Sequence, residues 1–342
     1  MTTPTILTLS PTFRRLRDFE RYRSESSCSP WAKGCKLRRS IVITKPAKLA
    51  IDRSRLSITQ DRETNLIPLE DLDIVVLDHD VIDVTAPTLG SLASHGVVLV
   101  VSDEKHLPCG YLVPLQNHNL MAQTLRGQIG ASSPVKKQIW KAIVREKILA
   151  QERLLFQIYG QNTQLASLVS QVKSGDSTNC EGRAASIYFS KLFGDEFNRL
   201  RGCELELEES QSYRLINSML NYGYAVLRAS VSRAIVAAGL NPTLGVFHHH
   251  RNNPFALADD LMEPLRPQVD RKVLALTQVN SFHAQGLEQL TPEVKRGILS
   301  FLIEDVWFEG RRTPLDISLA LYATEVRQYL LGETKRIQVP GA

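Results

Sequence analysis

The spacing of apolar residues changes once along the chain, at about residue 119, and this change limits the folds open to it. Before residue 119, apolar residues come in short runs that alternate with polar ones or are rich in β-branched side chains. Those patterns are typical of β-strands. After residue 119 they recur every three or four positions, as on one face of an α-helix. Strands followed by helices predict an α+β fold, with a small β-rich domain over residues 38–118 and a larger all-α domain over residues 119–335.

The β region contains five segments with strand character. Three are short and alternating or β-branched, and two are continuous apolar runs typical of strands buried on both faces. The segments are Ser40–Thr44, Lys48–Ile51, Arg55–Ile58, Asp73–Leu77 and Gly96–Val101. A short helix is expected before the last run, over Thr88–His95.

The remaining segments with helical spacing lie between residue 120 and the C-terminal end. They are Ile139–Leu149, Leu154–Val169, Glu181–Leu192, Tyr213–Ala238, Phe255–Leu265, Val273–Thr277, Val294–Trp307 and Leu315–Leu331. Three large aromatic residues near the end, Trp307, Phe308 and Tyr322, are interpreted as core or interface residues.

The first 37 residues form a basic extension. Residues 1–40 hold nine Lys or Arg and three Asp or Glu, a net charge of +6, whereas the whole chain carries +5. Residues 41–342 therefore sum to −1, and a nucleic-acid surface on them has to be a local patch. Few large apolar residues accompany the arginines, so we predict a disordered extension. A DNA-contacting arm and a start codon placed too far upstream remain alternatives.

Composition and the lack of certain motifs argue against several classes of protein. No apolar run approaches the roughly 20 residues that a membrane-spanning helix needs, and neither a P-loop nor a GxGxxG motif is present. The five cysteines form no CxxC pair, which argues against a zinc ribbon and favours reduced thiols. We therefore expect a cytoplasmic location.

The stretch Gly239–Asp270 carries the most chemistry. Gly239 and Pro242 end the long helix that precedes it, and the following loop contains His248, His249 and His250. A helix then presents Asp260 and Glu263, whose carboxylates share a face because they are three residues apart. Oxygen ligands with one imidazole suit Mg²⁺ or Mn²⁺ better than Zn²⁺. The alternative, which the residues alone leave open, is a polar loop followed by solvated helix carboxylates.

Glu181 is a second candidate acid. It lies near the start of a predicted helix, after the turn Ser174–Ser177. A carboxylate there is favoured by the helix dipole, so a purely structural role is the alternative to a functional one.

Three motifs in order resemble one known family. The first is a basic, β-rich segment, Arg39–Leu49, with Ile67–Leu72 after it. The second is E-G-x-A-A-x-x-Y-F at Glu181–Phe189. The third is a Gly-aromatic-His turn at Gly245–His248, followed by L-A-x-D-L-M-E-P-x-R-P at Leu257–Pro267. They resemble the CRISPR-associated adaptation integrase and endonuclease family, Cas1, in the type II form that is found beside Cas9. The chain departs from the family pattern in its N-terminal extension and in having three consecutive histidines.

The resemblance implies a catalytic site in the helical domain. It assigns metal-ligand and catalytic roles to Glu181, His248 and Glu263, with Asp260 as a fourth candidate ligand or a group behind the ligands. His248 is preferred to its two neighbours because it follows the Gly245–Phe247 turn. The implied cofactor is a divalent cation, Mg²⁺ or Mn²⁺. The implied reaction inserts new spacer DNA into the CRISPR array: the 3′-hydroxyl of a DNA fragment attacks a phosphodiester, and no ATP is used.

The resemblance also implies partners. They are double-stranded DNA, both as prespacer fragments and as the CRISPR leader-repeat, a second copy of the chain bound through the β domain, and the small Cas2 protein. Contacts with Cas9 and with an accessory end-binding protein are expected as well. Arg183, Arg251 and Arg266 are candidate DNA-binding residues because they lie beside the proposed ligands; structural ion pairing is their alternative role. A metal-dependent repair nuclease that uses water, and a non-catalytic helical DNA-binding scaffold, remain alternative functions.

Overall fold

The computed structural model describes residues 6–9, 39–104, 108–114, 121–200, 204–205, 208, 210–278 and 290–341. Within these ranges a small N-terminal β domain is followed by a mostly helical domain, which confirms the predicted α+β class. Ile6–Leu9, inside the predicted extension, forms a strand. The other residues of the segment 1–37 lie outside the described residues, so their disorder stays a prediction.

The described part of the β domain contains two sheets and one α-helix. Its strands are β1 (Ile6–Leu9), β2 (Arg39–Ile43), β3 (Ala47–Asp52), β4 (Arg55–Gln60), β5 (Glu63–Pro68), β6 (Leu72–Leu77), β7 (Ile82–Val84), β8 (Val98–Ser102) and β9 (Pro108–Leu112). One sheet has the order β1-β2-β6-β8-β9 and the other the order β5-β4-β3-β7. Helix α1 (Ala86–Ser94) precedes β8 and confirms the predicted short helix.

The first sheet forms a middle layer. Strand β6 pairs in parallel with β2 and β8, which places Ile41, Val75 and Leu99 side by side. These three side chains pack into the core shared with the second sheet. Their neighbours along the strands, such as Val42 and Val76, pack into the core of the helical domain. Because successive side chains of a strand point to opposite faces, burial on both faces explains why these runs are continuously apolar.

Nine α-helices are described in the helical domain. They are α2 (Met121–Gly130), α3 (Ser133–Tyr159), α4 (Leu165–Val169), α5 (Cys180–Phe193), α6 (Gln211–Ala237), α7 (Ala256–Met262), α8 (Arg266–Gln278), α9 (Pro292–Leu299) and α10 (Leu315–Leu330). None of the helices in the described ranges is both long and apolar enough to cross a membrane.

Helix α6 runs through the centre of this domain. A Cβ atom added at Gly223 would lie 2.4 Å from Val269 on α8 and 2.9 Å from Ile298 on α9. The missing side chain therefore lets both helices pack closely against α6. The chain passes from α7 to α8 through a single 3₁₀ turn, Glu263–Leu265. Pro264 and Pro267 explain this break, as expected, since proline has no amide donor.

The C-terminal region corrects two expectations. Helix α9 ends at Leu299, and the segment predicted as helical up to Trp307 instead continues into strand β10 (Asp305–Phe308), which pairs with β11 (Arg311–Pro314). Glu309 and Gly310 both have positive φ, 51° and 76°, as a two-residue hairpin turn of type I′ requires. The domain is thus not all-α.

The aromatic residues near this hairpin differ in burial. Phe308 and Tyr322 are buried, as expected of core residues. Trp307 is 42% exposed and so does not belong to the core. Instead its ring faces the guanidinium of Arg312 at 5.9 Å, which is the geometry of a cation–π contact.

Polar contacts join the two domains. Lys295 on α9 forms a buried ion pair with Asp78, which follows β6. Arg233 on α6 lies 2.8 Å from Asp73 and donates to the carbonyl of Gly96 at 2.8 Å. These contacts connect the middle sheet to α6 and α9 of the helical domain.

Candidate metal centre

Glu181 lies in the first turn of α5. Asn179 caps this helix by accepting from the amide of Gly182 at 3.3 Å, and Asp176 accepts from the amides of Cys180 and Glu181, both at 2.9 Å. The two caps fix the start of the helix. The side chain of Glu181 is 22% exposed and accepts a hydrogen bond of 2.6 Å from Lys147 Nζ. The expected helix-terminal position is therefore correct, but the carboxylate faces a buried cation.

Glu263 lies in the 3₁₀ turn between α7 and α8, where its side chain is 6% exposed. Lys147 Nζ donates to its Oε2 atom at 2.6 Å, and Arg266 Nε lies 2.9 Å from Oε1. Burial alone would raise the pKa of the Glu263 carboxyl. Arg266 and Lys147 outweigh burial and hold this pKa at about 2, so the group is a carboxylate at neutral pH.

His248 is oriented by Asp260. The completely buried Asp260 carboxylate accepts from the backbone amides of Val246 (2.6 Å), Phe247 (2.9 Å) and His248 (3.2 Å). Its Oδ1 atom lies 2.6 Å from His248 Nδ1. An imidazole that donates from Nδ1 has its Nε2 lone pair left for a metal. The hydrogen bond to Asp260 raises the pKa of His248, against the opposing effect of burial.

Asp260 therefore lies behind His248. Both of its oxygens are already engaged by donors of the histidine loop. Of the two roles considered for it, the geometry favours the supporting one. Gly245 also belongs to this turn: a Cβ atom there would lie 2.3 Å from the carbonyl oxygen of His248, so only glycine fits.

Trp140 on α3 packs against the loop that carries His248. Its ring stacks on Phe247, with centroids 4.2 Å apart and an interplanar angle of 1°, and meets His248 edge-on at 5.7 Å. Trp140 is completely buried, whereas Phe247 is 43% exposed. The stack fixes the turn immediately before the candidate ligand. His249 and His250, at the tip of the loop, are exposed.

Lys147 is the member of the site that the sequence interpretation missed. It lies on the buried face of α3, one turn beyond Ile143 and two turns beyond Trp140. Its ammonium donates to both Glu181 and Glu263. Burial lowers the pKa of Lys147, but the two carboxylates outweigh burial and raise it. The sequence does contain a sign of this role, namely a lysine at an apolar position of the helix pattern. An unpaired buried ammonium is too costly to retain, so such a lysine implies an acidic partner.

The arrangement suits a cation. Among the described residues, no three Asp, Glu, His or Cys side chains form a ready-made metal cluster. Two carboxylates nonetheless converge on a single positive atom, Lys147 Nζ. His248 is near enough for Glu263 and Glu181 to raise its pKa. Glu181, Glu263 and His248 are therefore a donor set that fits one hard divalent cation.

Comparisons with known proteins agree with one another. The family model "CRISPR associated protein Cas1" matches residues 41–296. The CRISPR-associated endonuclease Cas1 of Neisseria meningitidis serogroup C (strain 8013) is 38% identical over 266 residues, 77% of this chain and 83% of the relative. This chain belongs to the Cas1 family. Like its Cas1 relatives, it is a CRISPR-associated endonuclease.

Solved structures share the fold of this Cas1 chain. A casposase bound to its integration product aligns with a TM-score of 0.73 and 21% identity, covering 87% of this chain and 92% of the casposase. A Cas6-RT-Cas1–Cas2 complex aligns with a TM-score of 0.66 and 20% identity, covering 88% of this chain and 36% of the longer protein. At these identities the comparison establishes the architecture only.

Within this Cas1 fold the three candidate arginines differ. Arg266 is largely buried, pairs with Glu263, and lies over the ring of Tyr224 at 4.4 Å, which matches the ion-pairing alternative. Arg183 and Arg251 are exposed. Arg183 contacts Gln171 at 3.4 Å. DNA binding by these residues stays a prediction.

Proposed function

We propose that this Cas1 protein is a metal-dependent DNA integrase that inserts spacer fragments into a CRISPR array. The observation that carries the proposal is the convergence of Glu181 and Glu263 on one cation position. His248 is oriented by Asp260 and is near enough to both glutamates for them to raise its pKa. Glu181, Glu263 and His248 Nε2 would hold Mg²⁺ or Mn²⁺, whose chemistry is to neutralise the scissile phosphate and favour loss of the attacking hydroxyl's proton.

The proposed reaction exchanges one phosphodiester for another. The 3′-oxygen of the incoming fragment forms a bond to a phosphorus of the target strand. The bond from that phosphorus to the target's own 3′-oxygen breaks, and the released oxygen takes up a proton. Because the number of phosphodiesters is unchanged, no nucleotide triphosphate is needed. The protein's part is to bind both DNA ends and place charge around the phosphate.

The same proposal extends to partners. We infer a homodimer formed through the β domain and an assembly with Cas2, supported by the shared fold with the Cas1 part of a Cas6-RT-Cas1–Cas2 complex. The motifs at Glu181–Phe189 and Leu257–Pro267 support the type II form, with Cas9 and an end-binding accessory protein as further partners. The two cysteines that the structure describes, Cys109 and Cys180, are free thiols, which supports a cytoplasmic location.

Strand transfer tests the proposal. The purified protein, with and without its Cas2 partner, is mixed with a short labelled duplex, a plasmid bearing a leader and repeat, and Mg²⁺ or Mn²⁺. We expect covalent joining that is lost, by at least about a hundredfold, in Glu263→Ala, since loss of this ligand removes the metal that would neutralise the phosphate in the transition state. His249→Ala is the matched control and should retain joining.

Other outcomes have defined meanings. Cleavage without joining would favour a nuclease that uses water. Full joining by Glu263→Ala with Mn²⁺ would contradict the metal role. A loss in His249→Ala with none in His248→Ala would overturn the choice between the two histidines.

A further inference from the structure

Lys147 occupies the position between the two candidate ligand carboxylates. Its Nζ atom lies 2.6 Å from Glu181 Oε1 and 2.6 Å from Glu263 Oε2, and its side chain is 10% exposed. A buried ammonium with two charge-assisted hydrogen bonds is a strong local interaction, because the partners would be costly to leave unpaired. Without a metal, this lysine holds the carboxylates together.

A divalent cation would need the same oxygens. Both oxygens of Glu263 already face a cation, Oε2 facing Lys147 and Oε1 facing Arg266. The divalent cation adds two positive charges. It cannot bind the Glu263 oxygens while both Lys147 and Arg266 still contact them, since like charges at such distances repel strongly. Either Lys147 or Arg266 therefore has to move away from Glu263.

Lys147 is the side chain that can move away. Arg266 is held in place by the ring of Tyr224, at 4.4 Å, as well as by Glu263. The described contacts of the Lys147 ammonium are the two carboxylates and no ring, and its stem has four flexible carbons. The site is more open on the side of Glu181 and His248, whose side chains are 22% and 41% exposed. A displaced ammonium has space to move in that direction, towards an incoming phosphate.

We propose that Lys147 is a built-in cation that is exchanged for the metal when DNA binds, an inference that rests on the proposed metal role of Glu181 and Glu263. In the DNA-free protein it competes with the divalent cation for the carboxylate pair. A backbone phosphate that accepts the displaced ammonium frees the pair, so DNA and metal bind cooperatively. Lys147 thereby links metal loading to the presence of substrate.

Metal affinity without catalysis tests this inference. The dissociation constant for Mn²⁺ is measured by titration calorimetry with and without a short DNA duplex. In the absence of DNA, Lys147→Gln should bind Mn²⁺ about tenfold more tightly than the unaltered protein, since the competing ammonium is gone. DNA should improve the Mn²⁺ affinity of the unaltered protein by about five- to 150-fold, the typical range for coupled sites. It should improve the Mn²⁺ affinity of Lys147→Gln far less. Arg145→Gln, which removes one charge from the exposed side of the same helix, should change neither value.

A second measurement avoids any variant that fails to fold. In the unaltered protein labelled with ¹⁵N lysine, the Lys147 ammonium resonance is followed while Mg²⁺ and DNA are added, with Lys147→Arg used only to assign the signal. We expect the resonance to shift at saturation. A resonance that stays unchanged, or Mn²⁺ binding by Lys147→Gln that is equal to or weaker than that of the unaltered protein, overturns the inference. If the unaltered protein does not bind Mn²⁺, or if Glu263→Ala binds it equally well, the proposed metal role fails instead.

Discussion

Asp259 and Asp260 are neighbours on α7, yet their carboxylates hold opposite ends of the histidine loop. Asp260 accepts from the amides of residues 246–248 and faces the ring of His248. Asp259 accepts from Asn253 at 2.7 Å and from Arg228 at 2.6 Å. The pair offers two matched variants, which separate orientation of the ligand from general support of the loop.

Asp260→Asn should damage the site more than Asp259→Asn. An asparagine amide cannot accept from the loop amides on its NH₂ side, so buried donors lose their partner at a cost of about 1–3 kcal/mol. Mn²⁺ affinity should fall about 10- to 100-fold, as is usual when the group that orients a metal-binding histidine is lost. Calorimetric titration and urea unfolding measure the two effects. Equal Mn²⁺ affinities for the two variants would contradict the orienting role of Asp260.

At the scale of elements, α5, α6 and α8 meet at one buried carboxylate. Asp270 on α8 accepts hydrogen bonds from Tyr188 on α5, at 2.8 Å, and from Tyr224 on α6. Burial raises the pKa of Asp270 to about 6, although both hydroxyls and Arg266 oppose the rise. Tyr224 also carries Arg266 on its ring, so this junction supports the residues around Glu263.

The raised pKa of Asp270 predicts a pH dependence of stability. The Asp270 carboxyl binds its proton more tightly in the folded state than in the unfolded state. Its contribution to the free energy of unfolding is therefore largest below about pH 4 and is lost as the pH rises through about 6. The loss is on the order of 3 kcal/mol, since each pKa unit corresponds to about 1.4 kcal/mol. Urea unfolding of the unaltered protein and of Asp270→Asn should therefore differ by an amount that changes over this pH window. A constant difference would contradict the assignment, and Tyr188→Phe should move the window to higher pH.

How far the sequence predicts these elements depends on where the deciding contacts lie. The parallel strands β6 and β8 were recognisable because burial on both faces leaves a continuous apolar run. Hairpin β10–β11 was not, because Val294–Trp307 also fits helical spacing and the turn depends on Glu309 adopting a positive φ. Local spacing cannot show which of these two patterns tertiary packing selects.

Some residues of the candidate site could be predicted from the sequence, whereas others depend on tertiary packing. Its acids and His248 could be found from spacing and motifs, since they are close in sequence or belong to a family pattern. Lys147 is 34 residues from Glu181 and 116 from Glu263, so its role depends on how α3 packs against α5 and the 3₁₀ turn. The stack of Trp140 on Phe247 likewise joins segments that no local pattern relates.

At the scale of the whole molecule, one face of the middle sheet packs into the core of the helical domain. Val42, Val76 and Val100 of the middle sheet belong to the same apolar cluster as the helices around the candidate centre. Tyr111 on β9 donates to the carbonyl of Ala225 on α6 at 2.9 Å, and the buried Lys295–Asp78 pair crosses the same boundary. Such continuous packing implies that the described parts of the β domain and the helical domain unfold together.

Breaking the Lys295–Asp78 pair tests this cooperativity. Asp78→Ala leaves the Lys295 ammonium buried without its partner, a change that typically costs about 3–5 kcal/mol. The expected result is a lower urea midpoint with a single transition, followed in parallel by far-ultraviolet circular dichroism and tryptophan fluorescence. Asp52→Ala, which removes a carboxylate paired with Arg55 at the surface, is the control and should change stability by less than about 1 kcal/mol. Two separate transitions in the unaltered protein would show instead that the β domain unfolds on its own, and the geometry of the candidate site would then not depend on it.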